Sequence, residues 1–326
     1  MEDITQARND LNFRDYIFGT PYVDDRERLV VQHDIFKHNF VQMVEKVLLD
    51  YGLAQKLEQA KAIGSSKKVR ILDVGCGEGS FLHDVAEILQ ARGLLEVAEL
   101  IGFDKDAAAI AMAQDLYVTD STIGVTTEVI SETTAPFLQF YVQDATDLSN
   151  NDNPALADRH FDFIYALMVF EHIPNAKRYV EELYDHWLVP GGAIYLRDAL
   201  AWEGENSWLA PLPAMAQQLR AFKSFIVKLN EGKEVASEEV TWLRDLGASQ
   251  VQTFLDLLKA DLTTDRGLEV MGHWVMMVRN SLPRLVSGNL LSQEQANTIL
   301  DDIYQNLEQA NPGYWGTVNT LAQKPL

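Results

Sequence analysis

The chain has 326 residues, 47% of them hydrophobic, which is enough to bury a full core, and its 27 lysines and arginines face 48 aspartates and glutamates for a net charge of −21. Such a surface repels phosphate backbones and anionic lipid, so nucleic acid and membranes are excluded as expected partners; the densest basic cluster, Lys67, Lys68 and Arg70, only flanks a strand. No apolar run reaches the roughly 20 residues that span a bilayer, the start MEDITQARNDLNFRDY is too polar for a signal peptide, and the lone Cys76 allows neither an internal disulfide nor a cysteine metal cluster, which together predict a cytoplasmic globular protein.

Residues 1 to about 30 are polar and irregular, dotted with aromatics such as Tyr16 and Tyr22. From Asp24 to about Leu49 the spacing of Leu29, Val30, Phe36, Phe40, Val44 and Val47 predicts a long helix, and Ala54 to Ile63 a second one stopped by Gly64-Ser65-Ser66. This gives an N-terminal helical segment over 1–64. Its polar or amphipathic members Tyr16, Tyr22, Gln32 and His33 are able to face a ligand or simply to pack.

The stretch VRILDVGCGEGSFL, Val69 to Leu82, organises the rest of the chain. Val69, Ile71, Leu72 and Val74 predict a buried central strand, three glycines in five residues predict a tight turn, and Phe81, Val85, Ile88 and Leu89 predict a helix opening directly from it. Unpaired N–H groups at such a helix start, with glycines that let a ligand approach the backbone, make a nucleotide or cofactor seat. In Gly75-Cys-Gly77-Glu-Gly79-Ser80 the third glycine comes one residue early for a dinucleotide fingerprint, and no P-loop lysine is present. With Asp73, Gly75, Gly77 and Gly79 in the pattern D-x-G-x-G-x-G, the stretch resembles the first motif of the class I S-adenosylmethionine (SAM) dependent methyltransferases. A dehydrogenase is the weaker rival.

A second strand, Ala98 to Phe103, ends at Asp104, whose two carboxylate oxygens suit both hydroxyls of a ribose. Asp106 suits the cap of the helix AAAIAMAQ. Residues 117–136 read as an insertion without a functional assignment. The third strand, Leu138 to Val142, delivers Asp144-Ala145; the resemblance implies that Asp144 accepts from the adenine amine and that the Ala145 N–H meets the ring. The fourth strand, Phe161 to Ala166, leads into ALMVFEHIP, which resembles the family's fourth motif and implies that main chain near Ala166 and Leu167 borders the cofactor's amino acid end. Some quinone-biosynthetic relatives bind a divalent metal through an extra Glu three residues before this Glu-His pair; Met168 stands there, and no metal is expected. Two roles fit His172: a general base near neutrality, or an anchor of the loop.

A helix over Asn175 to Trp187 and the terminator Leu188-Val-Pro190-Gly191-Gly192 precede the fifth strand, Ala193 to Leu196, in the family-like pattern LxPGGxhhhxD. Trp202 to about Leu262 is expected to be helical, with Trp202 and Trp208 in its first loop, LEV at 268–270 a sixth strand, and Tyr314 to Ala322 a last one resembling the family's final antiparallel strand. His273 and Trp274 face the substrate or the core. The expected class is α/β: a doubly wound Rossmann-like sheet, mostly parallel with an antiparallel last strand, plus N-terminal helices and a helical lid insert. The expected division is 1–64, a SAM-binding core over 65–200, a lid over 201–264 and a completing segment over 265–326.

The resemblance implies SAM as cofactor and methyl transfer to an O or N nucleophile of a small organic molecule, in particular a secondary-metabolite intermediate. The implied cofactor residues are Asp73, Gly75, Gly77, Gly79, Asp104, Asp144, Ala145 and Leu167; Tyr22, His33, Trp202 and His273 are substrate-pocket candidates, and His172 the catalytic one. The alternative is a SAM-fold protein with a structural cofactor that promotes a rearrangement or only binds a partner. The sequence defines no oligomeric state.

Overall fold

The computed structural model describes residues 23–119, 137–148, 154–200 and 210–326; Tyr16, Tyr22, Trp202, Trp208 and most of the 117–136 insertion lie outside them. The chain order is α1 (Val23–Asp50), α2 (Leu53–Ala62), β1 (Val69–Val74), α3 (Ser80–Ala91), β2 (Ala98–Asp104), α4 (Ala107–Gln114), β3 (Leu138–Val142), α5 (Pro154–Ala157), β4 (Phe161–Leu167), α6 (Ala176–Glu182), β5 (Leu188–Ala199), α7 (Pro213–Leu229), α8 (Val235–Asp245), β6 (Ser249–Ala260), α9 (Asp265–Ser287), α10 (Gln293–Asn306) and β7 (Gly313–Gln323).

All seven strands join one sheet in the order β3-β2-β1-β4-β5-β7-β6. The first five are parallel, and β7 runs antiparallel to both β5 and β6. From β1 the chain moves outward to β2 and β3, then returns to the other side of β1 for β4. The tips of β1 and β4 therefore border the switch point where an open α/β sheet takes its ligand.

Every residue of β1 is buried, which explains an apolar run without alternation. One sheet face packs on the C-terminal half of α1, α2 and α3 through residues such as Val47, Leu57 and Leu89; the other packs on α6 and α8 around Trp187 and Trp242. A third cluster caps the C-terminal ends of the strands, with Phe36 of α1, Phe222 of α7, Trp274 of α9, Ile299 of α10 and Trp315 of β7.

Helix α1 is fastened to α3 by the buried carboxylate of Asp84. His33 Nε2 stands 2.8 Å from Asp84 Oδ2, and Lys37 Nζ 2.6 Å from Oδ1. These two partners outweigh burial and hold the Asp84 carboxyl below its usual range. Asp84→Ala removes both charge-assisted bonds, and an expected loss of about 2 kcal/mol is read as a lower urea midpoint at unchanged slope.

Three sequence expectations are corrected. Residues 249–260, expected to be helical, form the edge strand β6; LEV at 268–270 lies inside α9; and the fifth strand starts at Leu188, so Pro190-Gly191-Gly192 lies within it. The β6 stretch hides its period because outward residues Leu255 and Leu257 are apolar and, at 51% and 42% exposure, stand in solvent on an edge. The start of α9 is set by Thr264, whose Oγ1 accepts from Gly267 N at 3.0 Å. A side chain at Gly267 would meet the Asp261 carbonyl at 2.0 Å.

Candidate active site

The turn after β1 is built on glycines with left-handed backbone: φ is 70° at Gly75, 53° at Gly77 and 82° at Gly79. A Cβ at Gly75 would lie 2.6 Å from Val169 Cγ2, and one at Gly79 would lie 2.5 Å from Phe140 Cε1, whereas one at Gly77 would meet nothing within 4 Å. Two of the glycines thus allow the turn to pack, and Gly77 presents bare backbone to open space. The turn is pinned to the tip of β2: Gly75 N and Cys76 N donate to Phe103 O at 2.8 and 2.9 Å, and Gly77 N to Asp104 Oδ2 at 3.0 Å. Gly79 caps α3 without a side-chain acceptor. Gly77→Val should cost about 1–2 kcal/mol of stability from the left-handed backbone, yet lower cofactor affinity by roughly a hundredfold or more, a split read by melting and calorimetry together.

Three aspartates stand at successive strand tips. Asp73 is buried, and its Oδ2 has no partner among the described residues; burial pushes its carboxyl well up, offset in part by the neighbouring Tyr165 hydroxyl. Asp104 accepts from Gly77 N and, through Oδ1, from Asp106 N at 2.9 Å, and burial raises its carboxyl too. Each Asp104 oxygen keeps a second lone pair for a hydroxyl. Asp144 is exposed one strand further on, its Oδ1 accepting from Thr146 N and Oγ1 at 2.8 Å, with Ala145 buried beside it. Gln143 N donates to Asp104 O at 2.9 Å, joining the second and third tips. Asp106 caps α4, accepting from Ala108 N at 2.8 Å.

These residues fit SAM. The buried Asp73 carboxyl complements an ammonium group, the two Asp104 oxygens complement ribose hydroxyls, and bare backbone at Gly77 allows close approach.

Val169, against Gly75, belongs to the turn that succeeds β4. Met168 there adopts φ 60°, and its N–H donates to Arg197 O at 2.6 Å. The turn Phe170–His172 is buried and forms one wall of a pocket that Arg28 and Gln32 of α1, Phe222 of α7 and His273 of α9 close from above. His273 stacks on Trp315 with ring centroids 4.4 Å apart, and its Nε2 lies 3.2 Å from Arg28 Nη1. The same Nε2 lies 3.2 Å from Gln32 Oε1, and burial together with Arg28 keeps the ring neutral.

Glu171 accepts from Ala199 N through Oε2 at 2.9 Å and contacts His172 Nε2 through Oε1 at 3.2 Å. Burial pushes the Glu171 carboxyl up to about 8 and lowers the His172 imidazole to about 3. Behind them Asp198 Oδ1 accepts from Glu171 N at 3.3 Å. Burial and the charge of Glu171 push Asp198 up to about 7; burial and Asp198 push Glu239 of α8 well up. Asp198 and Glu239 hydrogen-bond to each other, with the Thr320 hydroxyl a further partner of Glu239, so one proton is held between the two carboxyls.

Of the sequence candidates, the structure gathers Asp73, Gly75, Gly77, Gly79, Asp104, Asp144 and Ala145 along adjacent tips, with Leu167 ending β4, and brings His172 and His273 into one pocket. His33 is engaged with Asp84 between α1 and α3. The sequence allows His172 to be a base near neutrality; buried and neutral, it is the weaker proton acceptor of its pair, and Glu171 the stronger. Tyr22 and Trp202 lie outside the described residues. Arg28, Asp198 and Glu239 escape sequence reading because their burial depends on distant elements.

A doubly wound sheet with a glycine turn, acidic strand tips and an adjoining polar pocket defines a cofactor-dependent transferase site. The chain belongs to the methyltransferase-domain family, whose model matches residues 44–228. No curated protein matches it in sequence. Among solved structures it is similar to Haemonchus contortus phosphoethanolamine N-methyltransferase 2 in complex with SAM, at 16% identity and TM-score 0.48, over 98% of this chain and 61% of that one. Others are the [4+2]-cyclase SpnF, at 18% identity and TM-score 0.42 over 80% and 76%, and the plantazolicin methyltransferase BpumL, at 15% and 0.41 over 94% and 93%. The chain spans about three fifths of the Haemonchus protein's length.

Proposed function

We propose that the protein transfers a methyl group from SAM to an O or N nucleophile of a small organic molecule, a secondary-metabolite intermediate, in the cytoplasm. The observation that carries this reading is the contact of Gly75 with Val169, which sets the cofactor turn against the pocket of Glu171, His172 and His273. Bound SAM supplies an electrophilic methyl group. The chain's residues supply alignment, worth about 7–11 kcal/mol when reacting atoms are held in line, and a water-poor wall. Asp73 holds the ammonium group, Asp104 the ribose and Asp144 with Ala145 the adenine; Gly75, Gly77 and Gly79 make room for them, and Leu167 borders the amino acid end. A cytoplasmic site accords with free Cys76.

Incubation with methyl-tritiated SAM and a small-molecule extract tests this reading. Label in an organic product supports it. SAM binding with no label in any product favours a structural cofactor instead.

A further inference from the structure

Three buried carboxyls stand in or behind the pocket wall, Glu171 from the turn after β4, Asp198 from β5 and Glu239 from α8, where a methyl acceptor needs somewhere to leave its proton. Glu171 alone of the three lines the pocket. It is also two residues from Val169, which touches the glycine turn of the cofactor seat. We propose that Glu171 is the proton acceptor of this pocket and surrenders its resting proton when the cofactor's sulfonium cation is seated, with Asp198 and Glu239 as a proton-sharing pair behind it. This assignment rests on the proposed methyl transfer.

In the resting site Glu171 is a neutral acid through the neutral range, because burial without a cationic partner disfavours its charge. A positive charge added beside it reverses that balance and releases the proton. The carboxylate then formed keeps the hydrogen bond from Ala199 N and gains a donor in His172 Nε2. During transfer the acceptor's lone pair forms the new bond to the methyl carbon, and the carbon–sulfur bond breaks with its electron pair left on sulfur. The acceptor's O–H or N–H proton passes to a Glu171 oxygen.

Groups from several elements face Glu171: His172 on its own turn, Asp198 on β5, Glu239 and Glu234 at α8, Arg28 on α1 and His273 on α9, with Lys105 and Arg284 acting on His172 from further away. His172 and His273 are already neutral and have no proton to give up. Asp73 and Asp104, also raised by burial, face the ammonium and ribose, which SAM shares with its demethylated product S-adenosylhomocysteine (SAH), so a change in their protonation on binding is common to both ligands. The two ligands differ only in the sulfur's methyl group and the positive charge that comes with it, so the comparison isolates the groups beside the sulfur.

The experiment is isothermal titration of the full chain with SAM and with SAH at pH 7.5, in buffers of different ionisation enthalpy, to count protons released on binding. SAM is expected to release between roughly half and one proton more than SAH. In Glu171→Gln that excess vanishes while SAH still binds. In Glu239→Gln, which does not line the pocket, the excess persists; its loss there would place the released proton on the pair behind the wall and overturn the assignment to Glu171. Equal release by SAM and SAH in the wild type overturns the proposal with no variant needed, as does an excess that survives Glu171→Gln. Failure of SAM to bind at all overturns the methyltransferase reading itself and this proposal with it.

Discussion

Replacing Asp104 with alanine is expected to lower SAM and SAH affinity about a hundredfold in calorimetric titration. Two hydrogen bonds from ribose hydroxyls to a carboxylate contribute about 1.5 kcal/mol or more each, and roughly 3 kcal/mol is two orders of magnitude in binding. The same side chain also holds Gly77 N and Asp106 N. Asp104→Asn keeps one acceptor oxygen for them and should sit between wild type and alanine. Unchanged binding in the alanine variant would separate the second strand tip from the cofactor.

The second large effect is on stability at alkaline pH. Glu171 and Asp198 titrate near 8 and 7 in the folded chain, and Glu239 well above its ordinary value, whereas an unfolded chain gives up these protons near pH 4. Between those limits the native state binds more protons than the unfolded one, so stability falls as pH rises. The trio's contribution is complete below about pH 4 and disappears as pH passes 7 to 8. Glu239→Gln removes one such group and places a neutral amide beside Asp198. The variant should match wild type at pH 5 and melt above it at pH 8.5. A lower melting temperature for the variant at pH 8.5 would mean that Glu239 is ionised and paired in the native protein.

The half of the site that rests on local chain chemistry was legible in the sequence. A buried strand, a glycine turn and an amphipathic helix in unbroken succession leave few alternatives from Val69 to Leu89, and Asp104 and Asp106 announce themselves by lying where a strand ends and a helix begins. The half that rests on tertiary placement was not. Glu239 sits in SEEVTW, which reads as a solvated helix face, and only its packing on β5 sets it against Asp198. Arg28 and Gln32 reach the pocket because α1 is tied to α3 through His33 and Asp84 and to α9 through Arg266, which donates to Asp34 O at 3.1 Å. Strand β6 escaped because an edge strand with apolar residues on its open side imitates helical spacing.

The site as a whole stands on one spatial statement: the adenosine lies along the tips of β1, β2 and β3, and the sulfur end meets the turn after β4. A crystal structure of the full chain with SAH tests it most directly. Density should show the ribose on Asp104, the ammonium on Asp73 and the sulfur facing the pocket of Met168, Glu171 and His172. SAH bound elsewhere, or a seat at Gly77 filled by the protein's own side chains, would contradict it.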